Sequence, residues 1–235
     1  MIKKVLITPD GSKLYWSKGD LHTNYGVVKE NDIKNGLVKS HSGKEFLVYD
    51  AQFVDRLNKI KRGPAVISNK DVGIILTNTG INPKSKILEA GAGSGRLTAF
   101  LANISSNVTS YERKEEFYKI AETNLKELGL KAKLRLKDIY EGITEKNLDV
   151  IILDLPEPWQ VLNYAVKALK CGGFLVAYLP HMTQVIEFTK ALSSPFVLDK
   201  VEEVLEREWI LEDRKARPEN QMLGHTAFLV FVRKI

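Results

Sequence analysis

The 235-residue chain is 27% charged and 44% hydrophobic with a formal net charge of +6, values that suit one good-sized core with a smaller appended domain. No run of about 18 apolar residues occurs, so no membrane span is expected, and MIKKVLITPDG is too short in its apolar part to read as a signal peptide. One cysteine, Cys171, excludes an internal disulfide and a multi-cysteine metal site, and His22, His41, His181 and His225 lack metal-ligand spacing, so a cytoplasmic, metal-free protein is expected.

In chain order, Lys4–Ile7, Tyr25–Val28, Gly36–Lys39 and Glu45–Tyr49 read as short strands. Turn signals at Pro9-Asp10-Gly11, Glu30-Asn31-Asp32, Asn35-Gly36 and Ser42-Gly43 separate them. A small β-barrel or sandwich is expected over 1–62, closed by a short amphipathic helix at Gln52–Ile60 and a basic linker from Lys59 to Pro64. Residues 1–70 carry 13 Lys and Arg against 7 Asp and Glu, whereas residues 71–235 carry 22 of each. The positive excess is thus confined to the first third. It serves either as a solvated surface or as a module that docks on a polyanion.

From about residue 70 the pattern changes to alternating strands and helices, within an expected catalytic domain over 63–235. A helix over Asp71–Thr79, capped by Ser68 or Asn69, is followed by a strand over Lys86–Ala90 and a helix over Leu97–Ile104. Next come a strand at Val108–Glu112, a helix at Glu115–Leu128, and strands at Leu134–Leu136 and Val150–Leu153. A helix over Val161–Leu169 and a strand over Phe174–Tyr178 follow, with Cys171 in a Gly-Gly turn before that strand. This alternation predicts an α/β, Rossmann-like parallel sheet. Val201–Glu208 and Thr226–Arg233 lack a crossover helix between them and are expected to pair antiparallel at its edge, giving seven mixed strands.

The chemistry gathers at the carboxyl ends of these strands. Residues 87–97, ILEAGAGSGRL, form a strand, a glycine turn and the start of a helix, the layout that holds a nucleotide-like cofactor. A dinucleotide fingerprint needs a third glycine five residues after Gly91, where Arg96 stands. G-x-G-x-G with an acid, Glu89, two residues ahead fits S-adenosylmethionine instead. Glu112 ends the next strand 21 residues beyond Gly91, placed to accept both ribose hydroxyls or simply to cap a strand end. Asp138 follows the third strand and could take an adenine amine. The run Val150–Leu153 delivers Asp154-Leu155-Pro156-Glu157-Pro158-Trp159, whose two prolines stiffen the loop that carries Asp154. A carboxylate there can accept a hydrogen bond from an exocyclic amine. Trp159 either covers the site or packs the following helix.

From about residue 64 to 235 the chain resembles the tRNA (adenine-N1)-methyltransferases that make 1-methyladenosine in the T-loop, in their bacterial and archaeal form. The resemblance is carried by LEAGAGSGRLT, SYERKEEFYKIAETNL, LKDIYEGI and DVIILDLPEPWQVL, with Val176–Pro180 and Gln184, then Arg217-Pro218 and Gly224–Leu229. It implies a class I S-adenosylmethionine-dependent methyltransferase, assembled as a homotetramer, acting at tRNA position 58 or at 57 and 58. It assigns the cofactor to Gly91, Gly93, Ser94, Gly95, Arg96, Leu97, Glu112, Asp138 and Asp154. Asp154 and Tyr178 become the catalytic pair, and Tyr178, Gln184 and His225 the substrate residues, with Tyr178 and His225 also readable as core and structural side chains. No metal is implied. The basic segment 1–62 is then expected to dock tRNA or contact other subunits. The chain departs from the family pattern at Ser68-Asn69, where some relatives carry a proline, sometimes after an aromatic residue, and at Cys171, where proline is usual. The same cofactor fold also serves enzymes that methylate another RNA, a small molecule or a protein. A subunit that binds RNA without catalysis would be expected to lose the glycines or Asp154, and a NAD-dependent oxidoreductase is disfavoured by Arg96.

Overall fold

The structure, a computed structural model, describes residues 1–63, 67–212 and 214–235. Pro64, the last residue of the expected linker, lies outside the described residues. The chain divides into two units, Met1–Ile60 and Lys61–Ile235.

In the first unit, strands β1 (Lys4–Ile7), β2 (Lys13–Trp16), β5 (Gly36–Lys39) and β6 (Glu45–Asp50) form an antiparallel sheet in the order β2-β1-β6-β5. Period-two alternation sorts its faces. Phe46 and Val48 of β6 point inward with Leu6, Trp16, Val28 and Val38, while Leu47 between them is half exposed. A second pair, β3 (Leu21–Thr23) and β4 (Gly26–Val28), is also antiparallel. Strands β2 and β3 were not foreseen. The turn signal at Pro9-Asp10-Gly11 makes β2: Thr8 N–H donates to Ser12 O at 2.9 Å across Gly11 and sends the chain back along β1. Helix α1 spans Phe53–Leu57, shorter than expected.

The second unit holds a seven-stranded mixed sheet, as expected. Its strands are β7 (Ile87–Ala90), β8 (Val108–Glu112), β9 (Lys133–Leu136), β10 (Leu148–Leu153), β11 (Leu169–Leu179), β12 (Phe196–Glu202) and, after an intervening hairpin, β15 (Phe228–Lys234). The order is β12-β15-β11-β10-β7-β8-β9, with β15 antiparallel to both neighbours and the five strands from β11 to β9 parallel. Helices α2 (Asn69–Thr79) and α3 (Arg96–Ile104) cover one face through Val72, Ile75, Leu97 and Leu101. Helices α5 (Leu162–Ala168) and α6 (Met182–Ala191) cover the other through Leu162, Ala165, Val185 and Phe188. Helix α4 (Glu115–Leu128) connects β8 to β9. The strand order reverses between β7 and β10, so a crevice opens outside their carboxyl ends. No helix among the described residues is long and apolar enough to cross a membrane.

Three differences from the sequence expectation have local causes. The edge strand is β12, Phe196–Glu202, rather than Val201–Glu208. It pairs on one side only, and a register shift between Leu198 and Lys200 breaks the alternation that identifies strands. Helix α6 was missed because MTQVIEFTKA mixes helical spacing with the β-branched residues Thr183, Val185, Ile186 and Thr189. Strand β11 begins at Leu169, so exposed Cys171 lies within it rather than in a preceding turn. A separate hairpin, β13 (Trp209–Glu212) with β14 (Lys215–Pro218), precedes β15.

Candidate active site

Strand β7 is buried along its whole length and ends at Ala90, just before Gly91. There φ is +93°, and a Cβ would overlap the carbonyl of Asp154. The close approach is fixed by Asp154 N–H donating to Ala90 O at 3.0 Å, so the ends of β7 and β10 meet at one glycine. Gly95 caps α3 at φ +77°, where a Cβ would stand 3.1 Å from the Cβ of Ala121 on α4. Buried Asn124 of α4 ties this loop down, donating to Ser94 O and to Lys61 O at 2.8 Å each.

A cavity of about 200 Å³ opens over this turn. Gly91, Gly93, Ser94, Arg96, Leu97, Glu112, Asp138 and Asp154 all line it. Of the predicted cofactor residues only Gly95 does not; it sits behind the loop as the helix cap. Glu112 accepts from Gly93 N–H and Lys114 N–H, both at 2.9 Å, which aims its carboxylate across the turn. Asp138 accepts from Tyr140 N–H at 3.0 Å and lies 3.7 Å from Arg113.

Two carboxyl groups of the cavity are shifted. Burial, reinforced by the charge of Glu112, pushes Asp154 up to about 6. Burial also pushes Glu89 up to about 7, although Thr98 and Ser110 donate to it at 2.6 and 2.9 Å. Raised carboxyl groups are stronger acceptors and cluster at functional sites.

Tyr178, Gln184 and His225 do not line this cavity. Tyr178 is nevertheless its neighbour by register. Leu153, the last residue of β10, stands opposite Ala177 of β11, so Asp154 leaves β10 next to the strand that carries Tyr178, and its charge helps raise the Tyr178 phenol. The Tyr178 hydroxyl donates to Asp71 at 3.2 Å. Gln184 donates to Pro156 O at 2.9 Å and so braces the Asp154 loop from α6. His225 bridges Glu203 at 2.5 Å and Pro180 O at 2.8 Å, and Glu203 above all raises its pKa. Trp159 packs on the core rather than over the cavity.

Sequence reading missed several residues here. Lys114 and Phe117 form a wall of the cavity, with the ammonium 5.3 Å from the ring centre. Their spacing at a helix start matches any amphipathic turn. Glu89 was noted only as part of the glycine pattern, although an acid between Leu88 and Ala90 in a buried strand was itself a signal. Asp71, fully buried beside Lys70, carried no signal beyond a charged first helical turn. At Ser68-Asn69, the departure from the family pattern, Ser68 caps α2 and Asn69 accepts from Arg96 at 2.8 Å.

Comparison with known proteins identifies the family. The model of the family described as tRNA methyltransferase complex GCD14 subunit matches residues 59–216. A tRNA (adenine(57)-N(1)/adenine(58)-N(1))-methyltransferase TrmI from Methanocaldococcus jannaschii is 32% identical over 97% of this chain and 94% of its own. A tRNA (adenine(58)-N(1))-methyltransferase TrmI from Thermus thermophilus is 39% identical over 92% of this chain and 89% of its own. Among solved structures, a SAM-dependent O-methyltransferase from Thermotoga maritima superposes with a TM-score of 0.88 at 30% identity, covering 100% of this chain and 93% of that one. A tRNA (m1A58) methyltransferase TrmI from Aquifex aeolicus gives 0.83 at 30% identity over 99% and 96%.

Proposed function

We propose that this chain, which belongs to the GCD14 family of tRNA methyltransferase subunits, transfers a methyl group from S-adenosylmethionine to N1 of an adenine in the T-loop of tRNA. The observation that carries the reading is the place of Asp154: in the cavity wall, against Gly91, and close enough for its charge to act on Tyr178.

The residues fit the cofactor. Gly91 lets the β10 end close against the turn, where a side chain would strike the Asp154 carbonyl, Glu112 offers its carboxylate to the two ribose hydroxyls, and Asp138 an acceptor to the adenine amine. The backbone from Gly93 to Leu97 opens the first turn of α3 toward the remaining polar groups. When bound, S-adenosylmethionine supplies a methyl group on a positively charged sulfur that leaves as a neutral thioether. Adenine N1 is already a nucleophile, so the chain's main work is alignment. Asp154 accepts a hydrogen bond from the N6 amine and absorbs positive charge that develops on the ring. With its pKa at about 6 it is more basic than an ordinary carboxylate yet still ionised near neutrality.

A T-loop adenine is stacked within the folded tRNA, so it must be turned out to reach Asp154. The positive excess of residues 1–70 suits phosphate contacts that offset this cost. We further assign the chain to the cytoplasm, where it meets tRNA, and to a homotetramer. The β13–β14 hairpin supports assembly, since Trp209 and Leu211 are 61% and 76% exposed. The reading is tested by methyl-transfer assays with S-adenosylmethionine on bulk tRNA beside small amines, hydroxyl compounds and protein. Transfer to tRNA alone is expected; transfer to a small molecule or protein, with none to tRNA, overturns it.

A further inference from the structure

Behind Tyr178 lies a buried polar cluster that the proposed reaction does not yet use. Asp71, on the first turn of α2, is fully buried, and the Lys70 side chain is 8% exposed. The Lys70 ammonium donates to Asp71 Oδ1 at 2.7 Å and to Thr226 Oγ1 at 2.6 Å. Asp71 Oδ2 accepts from Ser68 at 2.8 Å and from Tyr178 at 3.2 Å. Burial alone would raise the Asp71 carboxyl, but Lys70, Thr226 and Ser68 outweigh it and hold it below its ordinary value. It is therefore ionised, and an ionised carboxylate only accepts.

This fixes the polarity of Tyr178. Its one proton goes to Asp71 at 3.2 Å and Thr226 also hydrogen-bonds the phenol oxygen, so toward the base that oxygen offers a remaining lone pair and no donor. On the methylated edge of adenine the N6 amine is a donor, whereas N1 is an acceptor whose lone pair must attack the methyl group. A phenol free to donate would bind that lone pair and hold it out of the reaction. A phenol that can only accept matches the amine and leaves N1 open.

We propose that Asp71 is a positioning residue for the methyl acceptor: it takes the phenolic proton of Tyr178 and so keeps the hydroxyl beside Asp154 from capping adenine N1. The inference rests on the adenine-N1 reading above. The same logic selects a purine that carries an amine over one that carries a carbonyl at that position, since two acceptors, Asp154 and Tyr178, would face the carbonyl.

The test is a double-mutant cycle on 1-methyladenosine formation with the full chain. Asp71→Asn places an amide N–H where the phenol proton was accepted, which turns the Tyr178 proton toward the base. Its kcat is expected to fall by at least about tenfold, below that of Tyr178→Phe, which gives up the phenol's neutral hydrogen bond to the base along with its bond to Asp71 and loses roughly twofold to tenfold in rate. Binding of S-adenosylmethionine and the KM for tRNA should stay near wild type. Combined, the two changes should return kcat to the Tyr178→Phe level, because without the phenol there is no proton to misdirect. Multiplicative losses, or an Asp71→Asn enzyme as active as wild type, overturn the assignment. Should Asp71→Asn not fold with Lys70 left unpaired, Lys70→Met with Asp71→Leu removes both charges and carries the same expectation of rescue by Tyr178→Phe. A wild-type protein that forms no 1-methyladenosine would instead defeat the underlying reaction.

Discussion

At the scale of single residues, Asp154 joins position and charge. Its backbone closes against Gly91 and its carboxyl is raised to about 6. One charge-assisted hydrogen bond is worth roughly 1.5–3 kcal/mol, so Asp154→Ala should lower kcat on the order of tenfold to a few hundredfold, read by single-turnover transfer to tRNA. The acceptor must be ionised, so kcat/KM of the wild type should rise with pH through about 6 and then level. Asp154→Ala should lose that limb of the profile. Glu89 makes a prediction about stability rather than rate. Its folded pKa of about 7 exceeds the ordinary 4.5, so between those values the folded state holds a proton that the unfolded chain has released. Stability therefore falls as pH rises through that window. Denaturant melts of the ligand-free protein at both ends of the window should show a smaller fall for Glu89→Gln than for wild type. Glu112, Asp138 and Asp154 were legible because strand, spacing and loop chemistry coincide. Asp71 was not, since its partners Tyr178 and Thr226 come from across the sheet, and the Tyr178 bond spans 107 residues.

Elements tell a similar story. The parallel strands and their helices were readable because buried apolar runs alternate with amphipathic ones. The edge was not: β12 is solvated on one flank and bulged, and α6 is built largely from residues that also suit strands. The glycine turn is the element on which the cavity depends. Gly91→Ala must adopt φ +93° and force the Asp154 backbone away. The backbone strain alone costs about 1–3 kcal/mol, and the overlap adds to it. The variant should melt well below wild type and bind S-adenosylmethionine weakly by calorimetry; wild-type affinity in this variant would show that the β7–β10 contact does not shape the cavity.

For the whole molecule, the positive excess of residues 1–70 is the proposed lever on tRNA binding. Neutralising Lys59, Lys61 and Arg62 together should weaken tRNA binding and flatten its dependence on salt, because fewer counterions are released. An unchanged salt slope, measured by titration from low to physiological salt, would move the docking surface elsewhere. Everything else converges on one product. Unmodified tRNA treated with S-adenosylmethionine and either wild-type protein or Asp154→Asn should be mapped for 1-methyladenosine. The account predicts the modified base in the T-loop, at position 58 or at 57 and 58, with wild type, and a loss of at least about tenfold in its rate of formation with Asp154→Asn at saturating S-adenosylmethionine. Methylation at another atom or nucleotide, or equal rates from the two proteins, would contradict it.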